Sequence, residues 1–213
     1  MEFERARTKE QKDVRIAEIL EAAIKQYQIV DYENITLASL SKDLSFSRVN
    51  LYKYFKTKEE IFLKIVELDL FKWVDKLKLI FLGQPSKDIE TFAKKWSACM
   101  YSQKRMIGLM SKQFSNLEKY SSIEKLVEFK ANYFYLYGEI TEILKTQLPM
   151  LNDKQLKEFI ANNILYAMGL FPSTIMTENQ IKAIEMVGIE YEVPNFVEAL
   201  TKLTVVYIKG LVD

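Results

Sequence analysis

Residues 48–55 carry polar and basic side chains at spacings that place them on one helical face. At about 100° per residue, the residues on the outward face are Arg48, Val49, Asn50, Tyr52 and Lys53. Asparagine can pair with adenine, arginine or lysine with guanine, and valine can touch the methyl group of thymine. The stretch therefore predicts a helix that suits the major groove of DNA.

Two short helices joined by a tight turn are predicted to hold this face in place. Thr36 is a good N-cap for the first helix, over residues 37–44, and Ser47 caps the second, over residues 48–55. On the second helix, Leu51 and Phe55 lie one turn apart and point inward. Together these features predict a helix-turn-helix at about residues 36–55.

A third helix is predicted to begin at Lys58, behind a capping box formed by Thr57 and Glu60. Its apolar periodicity continues to about residue 81, so the helix is about 35 Å long at about 1.5 Å per residue. No linker separates it from the motif. With 6 glycines, 4 prolines and almost no alternating strand pattern, the chain is predicted to be all-α. We predict one domain over residues 1–57 and a helical domain over residues 58–213.

The motif resembles the TetR family of bacterial transcription regulators. The resemblance rests on Thr36-Leu37, Leu40, Leu44, the run Leu51-Tyr52-Lys53-Tyr54-Phe55-Lys56 and the run Lys58-Glu59-Glu60-Ile61-Phe62. It implies an N-terminal three-helix DNA-binding domain followed by a larger helical domain for effector binding and dimerisation. The family usually has glycine at the turn where this chain has Ser45. A serine there would be strained if the position required a positive φ.

The resemblance also divides the DNA-contacting residues into two groups. Thr36, Tyr52, Tyr54 and Lys58 would hold phosphates, and Arg48, Val49, Asn50 and Lys53 would face bases. Phosphate contacts set the register of a protein on DNA, while base contacts carry the sequence preference. The polar stretch of residues 1–7, with Arg5 and Arg7, is either a frayed terminus or an arm that reaches DNA.

Composition limits the remaining function classes. The net charge of +1 means that any DNA-binding surface must be local. The chain contains no histidine and one cysteine, which excludes a histidine-based triad and histidine or thiolate metal sites. We expect no enzyme activity, no cofactor and no metal. Cys99 is expected to be a buried thiol in a reducing cytoplasm, and the alternative is a redox sensor. No apolar run of membrane-spanning length is present.

A second group of residues in the larger domain is aromatic or methionine. Most of them are expected to be ordinary core residues, but a bulky cluster of this kind can also line a pocket for a flat or apolar ligand. The predicted ligand-binding residues are Phe92, Trp96, Met100, Phe114, Tyr133, Tyr137 and Tyr166.

Two late stretches, residues 154–171 and 196–211, are richer in apolar residues than one buried stripe requires. Both could pack within one subunit, but the excess favours a four-helix contact with a second copy. The sequence thus predicts a homodimeric, ligand-responsive repressor of a palindromic DNA operator, with a small apolar or aromatic effector and no membrane partner. The alternative is a non-catalytic helical protein-interaction module, and activation in place of repression is left open.

Overall fold

The computed structural model describes residues 9–83 and 85–212, and these residues form α-helices and no strand. The predicted all-α class is therefore confirmed. The helices are α1 (Lys9–Ile29), α2 (Leu37–Leu40), α3 (Arg48–Leu51), α4 (Lys58–Ile80), α5 (Ile89–Tyr101), α6 (Lys104–Met110), α7 (Ile123–Gln147), α8 (Asp153–Ser173), α9 (Glu178–Val187) and α10 (Phe196–Val212). The arm predicted at residues 1–7 lies outside the described residues.

The two helices of the motif are shorter than predicted. After α2 the chain tightens into a 3₁₀ turn at Ser41–Asp43 and becomes extended at Leu44. After α3 the amides of Lys53 and Tyr54 bond to carbonyls only three residues back, at 3.1 and 3.0 Å. Such i→i+3 bonds are the usual way in which a helix closes its last turn. The apolar spacing was correct, but it could not distinguish an α-helix from a tightened turn.

The chain divides into two compact units. The first contains residues 1–68 and 112–132, and the second contains residues 69–111 and 133–213. Of the three dividing points, one falls inside α4 and one inside α7, and the third follows the end of α6. The two units are defined by the contacts within each of them. The boundary that we predicted after residue 57 separates a DNA-binding domain from a ligand-binding and dimerisation domain, and it stays a prediction.

The core of the first unit is built from the inward faces of α1 to α4. Ile19 and Ala23 of α1, Leu40 of α2, Leu51 of α3 and Phe62 of α4 are all fully buried. Burial of a side chain of leucine or phenylalanine size contributes about 1.5–3 kcal/mol. α2 packs against both α1 and α3, and burial of Leu51 turns the opposite face of α3 to solvent.

The core of the second unit is a cluster of aromatic rings. Trp96 of α5 lies 5.4 Å from Trp73 of α4, 6.0 Å from Phe92 and 5.6 Å from Phe159 of α8, measured between ring centroids. A fully buried polar chain runs through it: Trp96 donates to Asn163 (2.7 Å), and Asn163 donates to Thr204 (2.9 Å). Because an unmet buried donor costs about 1–3 kcal/mol, this chain fixes the register of α5, α8 and α10.

No single helix within residues 9–83 and 85–212 has the length and apolar composition needed to cross a membrane. The pair formed by α8 and α9, which meet at a bend of 73°, meets those two criteria only when taken together.

Candidate nucleic-acid interface

The turn between α2 and α3 is held by side chains of α1. The carboxylate of Glu18 accepts hydrogen bonds from the backbone amide of Ser45 at 2.5 Å and from its hydroxyl at 3.0 Å. Arg15 donates to the same hydroxyl and lies 4.8 Å from the centroid of the Phe46 ring. Burial alone would raise the pKa of Glu18, but these hydrogen bonds outweigh it and lower the pKa. The turn is thus tied to α1 through an ionised carboxylate.

Ser45 is not strained. Within the described residues, a positive φ occurs only at Gly83 and Gly188. The turn therefore does not require the left-handed conformation that glycine favours. The strain that would follow from a positive φ at this position therefore does not arise, and the Glu18 carboxylate accepts a hydrogen bond from the amide of Ser45 at the turn.

The outward side chains of α3 and of the turn that follows it are mostly exposed, as their spacing predicts. Val49 is 72% exposed, Arg48 and Lys53 are exposed, and Asn50 is half-buried. Two pairs order the polar side chains: Arg48 donates to the hydroxyl of Tyr52 at 3.0 Å, and Lys53 donates to Asn50. These hydrogen bonds limit the rotamers of side chains that are predicted to contact DNA bases.

Four of the eight predicted DNA-binding residues surround one open depression of about 340 Å³. They are Thr36, Arg48, Tyr52 and Lys58. The structure therefore brings together three of the four residues assigned to phosphates, namely Thr36, Tyr52 and Lys58. Thr36 is also the N-cap of α2 and accepts a hydrogen bond from the amide of Ser39 at 3.0 Å. The fourth, Tyr54, is half-buried, with its ring 6.3 Å from that of Phe46.

Lys58 already has partners in the free chain. Its ammonium group donates to the backbone carbonyls of Tyr32 at 2.8 Å and Glu33 at 3.3 Å, and it lies 4.4 Å from the centroid of the Tyr32 ring. These carbonyls belong to a 3₁₀ turn at Tyr32–Asn34. Lys58 thus fixes the beginning of α4 against that turn, and its predicted phosphate contact would have to exchange or share these bonds.

Tyr32 is a buried residue that contacts several distant parts of the chain, and the sequence did not predict this role. Its hydroxyl donates to Asn116 at 2.8 Å, and Asn116 lies in a π-helical stretch, Gln113–Leu117. Burial raises the pKa of the Tyr32 hydroxyl, and the Glu59 carboxylate raises it further. The only sequence signal was an aromatic residue among polar ones before Thr36, and a partner 84 positions away cannot be read from local spacing.

Glu60 is a second anchor whose role differs from the one predicted. Its amide bonds to Thr57 at 3.3 Å, as in a capping box. Its buried carboxylate, however, accepts from the amides of Lys56 at 2.6 Å and Ser122 at 3.1 Å. Burial tends to raise the pKa of Glu60, and the hydrogen bonds from Ser122 and Lys56 lower it overall. The carboxylate thereby ties α4 to the beginning of α7.

The predicted ligand-binding residues differ in burial and come from both units. Phe92, Trp96 and Met100 are buried on one face of α5. Tyr133 and Tyr137 are half-buried on α7 with ring centroids 6.4 Å apart, whereas Tyr166 is exposed on α8. Phe114 belongs to the first unit and is exposed. The assignment of these seven residues to a ligand site stays a prediction.

A small apolar cavity does lie within the second unit. Its volume is about 10 Å³, which is close to the minimum for one water molecule, about 10–15 Å³. Its lining is entirely apolar: Trp73, Met100, Met106, Ile107, Met110, Ile164, Ala167 and Met168. Of the predicted ligand-binding residues, only Met100 contributes to it.

Comparison with known families gives matches over most of the chain. The family model described as bacterial regulatory proteins, tetR family, matches residues 19–65, and that described as tetracyclin repressor-like, C-terminal domain, matches residues 67–213. An uncharacterized HTH-type transcriptional regulator, YfiR from Bacillus subtilis (strain 168), is 41% identical over 70 residues, or 33% of this chain. The aligned stretch spans only 34% of that relative's length.

Solved structures show the same fold. The fatty acid degradation regulator FadR from Bacillus halodurans superposes with a TM-score of 0.56 at 14% identity, over 90% of this chain and 94% of that one. The TetR family repressor AlkX from Dietzia sp. strain DQ12-45-1b superposes with a TM-score of 0.53 at 11% identity, over 99% of this chain and 100% of that one. At these identities the likeness concerns the fold alone.

Proposed function

This chain belongs to the tetR family of bacterial regulatory proteins, and from that premise we propose that it is a dimeric repressor released from DNA by a small apolar or aromatic molecule. Members of the family are DNA-binding regulators of transcription and not enzymes. The observation that carries the proposal is the exposed face of α3, continued by Thr36 and Lys58 around one depression. Because the proposed target is a DNA operator, we also propose that the protein acts in the cytoplasm.

For DNA recognition we assign Arg48, Val49, Asn50 and Lys53 to base edges, and Thr36, Tyr52, Tyr54 and Lys58 to phosphates. The exposure of Arg48, Val49 and Lys53 supports the first assignment. The pairs Arg48–Tyr52 and Lys53–Asn50 would hold these side chains close to binding geometry. Such ordering lowers the entropic cost of forming contacts in the groove.

Dimerisation is assigned to residues 154–171 and 196–211. The outward sides of α8 and α10 carry exposed apolar residues, among them Leu165, Tyr166 and Val206. Leu200, by contrast, is fully buried within its own chain. Leu165→Asp with Val206→Asp is therefore the appropriate pair of changes to separate the subunits, because a charge at Leu200 would instead disrupt the core.

Ligand binding is assigned to the methionine-lined cavity of the second unit. At about 10 Å³ it is too small for an effector, so binding would require side chains to move. Methionine is unbranched and adapts readily to new shapes, and four methionines line this space. The apolar lining favours an apolar ligand. The names of the two structural neighbours concern fatty acid degradation and n-alkane biodegradation, so an alkyl or acyl chain is the first class to test.

The route from ligand to DNA is proposed to run along two chain segments. α4 contributes residues 58–68 to the first unit and its remainder to the second. Met106 and Met110 of α6 line the cavity, and the chain reaches the π-helical stretch that bonds Tyr32 only three residues after Met110. Displacement of α6 or α4 would then alter the Tyr32–Lys58 contacts beside the DNA face. Linkage requires reciprocity, so a ligand that weakens DNA binding tenfold binds tenfold more weakly to the DNA complex.

Repeated selection of bound DNA from a random-sequence pool tests the function. We expect enrichment of an inverted repeat whose half-sites lie about one helical turn, or about 34 Å, apart. Failure to enrich any sequence, with the protein folded, would contradict the proposal. Capture of a specific protein partner by the same face would then favour the interaction-module alternative.

A further inference from the structure

A segment of the first unit that lies outside the helix-turn-helix packs beside the depression on the DNA-binding face. It comprises residues 112–122, which precede α7. The carbonyl of Tyr120 accepts a hydrogen bond from the hydroxyl of Thr57 at 3.1 Å, and the ammonium group of Lys112 pairs with Glu33 at 2.7 Å. Thr57 and Glu33 both line the depression. The segment is therefore bonded directly to two residues of that lining.

The same segment is held at two further points. Asn116 accepts a hydrogen bond from the hydroxyl of Tyr32 at 2.8 Å, and the amide of Ser122 donates to Glu60 at 3.1 Å. Tyr32 and Glu60 are both buried, so water competes little for these bonds. The contacts at Asn116 and Ser122 lie on either side of the turn at residues 118–121, and they limit the positions that its side chains can take.

The exposed side chains of this turn are a lysine and a tyrosine. Lys119 is exposed and Tyr120 is 51% exposed. Among the residues that the structure describes, Lys119 forms no ion pair, and its ammonium group lies 5.2 Å from the centroid of the Tyr120 ring. The turn thus presents an ammonium group beside a phenol hydroxyl, and both groups can donate hydrogen bonds to a phosphate oxygen.

The acidic residues nearest to this turn have basic partners. Glu118, the residue before Lys119, pairs with Lys130 at 2.7 Å. Glu33, in the lining of the depression, pairs with Lys112, and the hydrogen bond from Lys112 is the main cause that lowers the pKa of Glu33. The charge of Lys119 is therefore not offset by either carboxylate. This pattern favours an anionic partner at the turn.

We propose that Lys119 and Tyr120 contact the phosphate backbone of DNA beside the half-site that α3 reads. The inference rests on the proposed DNA binding and adds to it a contact from outside the motif. The depression next to the turn is lined by Thr36, Tyr52 and Lys58, which we assign to phosphates. Because B-DNA carries one negative charge per about 1.7 Å of helix axis, a surface that binds one phosphate there lies close to others.

The salt dependence of DNA binding tests the role of Lys119. We expect Lys119→Ala to reduce the slope of log affinity against log salt by about 0.9, and to weaken binding about fivefold at about 0.15 M salt. The loss should be equal on selected and scrambled duplexes, since a phosphate contact carries no sequence information. Lys119→Arg should keep the parent's slope. Lys95→Ala is the matched control, because Lys95 is exposed on α5 in the second unit.

Two results with Lys119→Ala would overturn the inference. One is a slope equal to that of the parent. The other is a loss confined to the selected duplex, which would make Lys119 a base contact. Because the slope does not depend on the fraction of active protein, partial unfolding of the variant would not imitate the expected result. A parent that binds no DNA would contradict the proposed function as well, whereas a parent that binds DNA while Lys119→Ala matches it contradicts this inference alone.

Tyr120→Phe tests the hydroxyl separately. It removes one hydrogen-bond donor and no charge, so we expect an affinity loss of about twofold or more with the parent's salt slope. Circular dichroism should show the parent's helix content, since the hydrogen bond to Thr57 uses the backbone carbonyl of Tyr120 and not its side chain. An affinity equal to that of the parent would overturn the contact assigned to Tyr120.

Directed cleavage locates the turn on the DNA. Lys119→Cys is labelled with an iron–EDTA reagent, bound to the selected duplex and activated with ascorbate and peroxide. We expect cuts confined to a few backbone positions beside each half-site. Lys95→Cys, labelled in the same way, is the matched control, and the parent, whose single cysteine is buried, gives the background. Cleavage by labelled Lys119→Cys that is no more localised than that of the control would overturn the inference.

Discussion

The two units of this protein present their candidate sites in opposite ways. In the first, the predicted residues lie within 36–58, and most of them are exposed on α3 or around the adjoining depression. In the second, the six predicted residues other than Phe114 come from α5, α7 and α8, and they range from the fully buried Phe92 and Trp96 to the exposed Tyr166. A convex face follows from the period of one helix, whereas a concave site depends on how several helices pack. The two sites should therefore respond differently to mutation.

Trp96→Ala should have the largest effect, and the effect should be on stability. Trp96 is fully buried among Trp73, Phe92 and Phe159 and donates to Asn163. Its removal should lower the free energy of unfolding by about 3–5 kcal/mol, as measured by urea denaturation. Phe134→Ala, at an exposed position of α7, should change the free energy by no more than about 0.5 kcal/mol. Similar small losses for both would indicate that Trp96 faces a space and not the core.

Lys53→Ala should affect DNA binding and leave stability unchanged. If Lys53 reads a base, its loss should cost about 1–3 kcal/mol on the selected site and relax preference at one position per half-site. Fluorescence anisotropy titrations on the selected and singly substituted sites measure both effects. Lys25→Ala is the control, because Lys25 is exposed on α1 and paired with Glu21. An equal loss on every sequence would reassign Lys53 to a phosphate.

Lys58→Ala should weaken all DNA sequences alike. Loss of one phosphate contact should reduce the slope of log affinity against log salt by about 1. Because Lys58 also bonds to the carbonyls of Tyr32 and Glu33, a modest loss of stability should accompany it. A stability loss with an unchanged salt slope would show that Lys58 only fixes α4 and contacts no phosphate.

The sequence predicted local features of the DNA-binding face, but it could not predict the contacts that hold this face in place. Local spacing predicted that Val49 and Lys53 point outward and that Thr36 is an N-cap. In the structure, Val49 and Lys53 are exposed and Thr36 caps α2. The bonds Glu18–Ser45, Tyr32–Asn116 and Glu60–Ser122 join residues 27 to 84 positions apart. No periodicity encodes such pairs. They decide how the turn avoids strain and what holds α4.

The aromatic pattern of the second unit was ambiguous for a related reason. Helical spacing placed Phe92, Trp96 and Met100 on one apolar face, which is where they lie. Spacing alone could not show whether that face meets a pocket or another ring. Phe159, from the distant α8, packs on Trp96 with 5.6 Å between the ring centroids, and the small methionine-lined cavity lies in the same unit.

The smallest predicted effect concerns pH. The pKa of Glu60 is lowered in the folded chain from its ordinary value of 4.5. As the pH falls, Glu60 is therefore protonated in the unfolded chain before it is protonated in the folded chain. The stability that Glu60 contributes is present above pH 4.5 and is lost as the pH falls through the pKa of Glu60 in the folded chain. Unfolding free energies measured from pH 6 to pH 3 should fall less steeply for Glu60→Gln than for the parent. Equal slopes for Glu60→Gln and the parent would contradict this account.

The central claim, that the face of α3 reads DNA sequence, is tested most directly by one competition measurement. The parent and the double variant Arg48→Ala with Lys53→Ala are each titrated against the selected site in the presence of excess scrambled duplex. We predict that the parent keeps its preference for the selected site, and that the double variant binds both duplexes with nearly equal affinity while remaining folded. Retention of the full preference by the double variant would contradict the account.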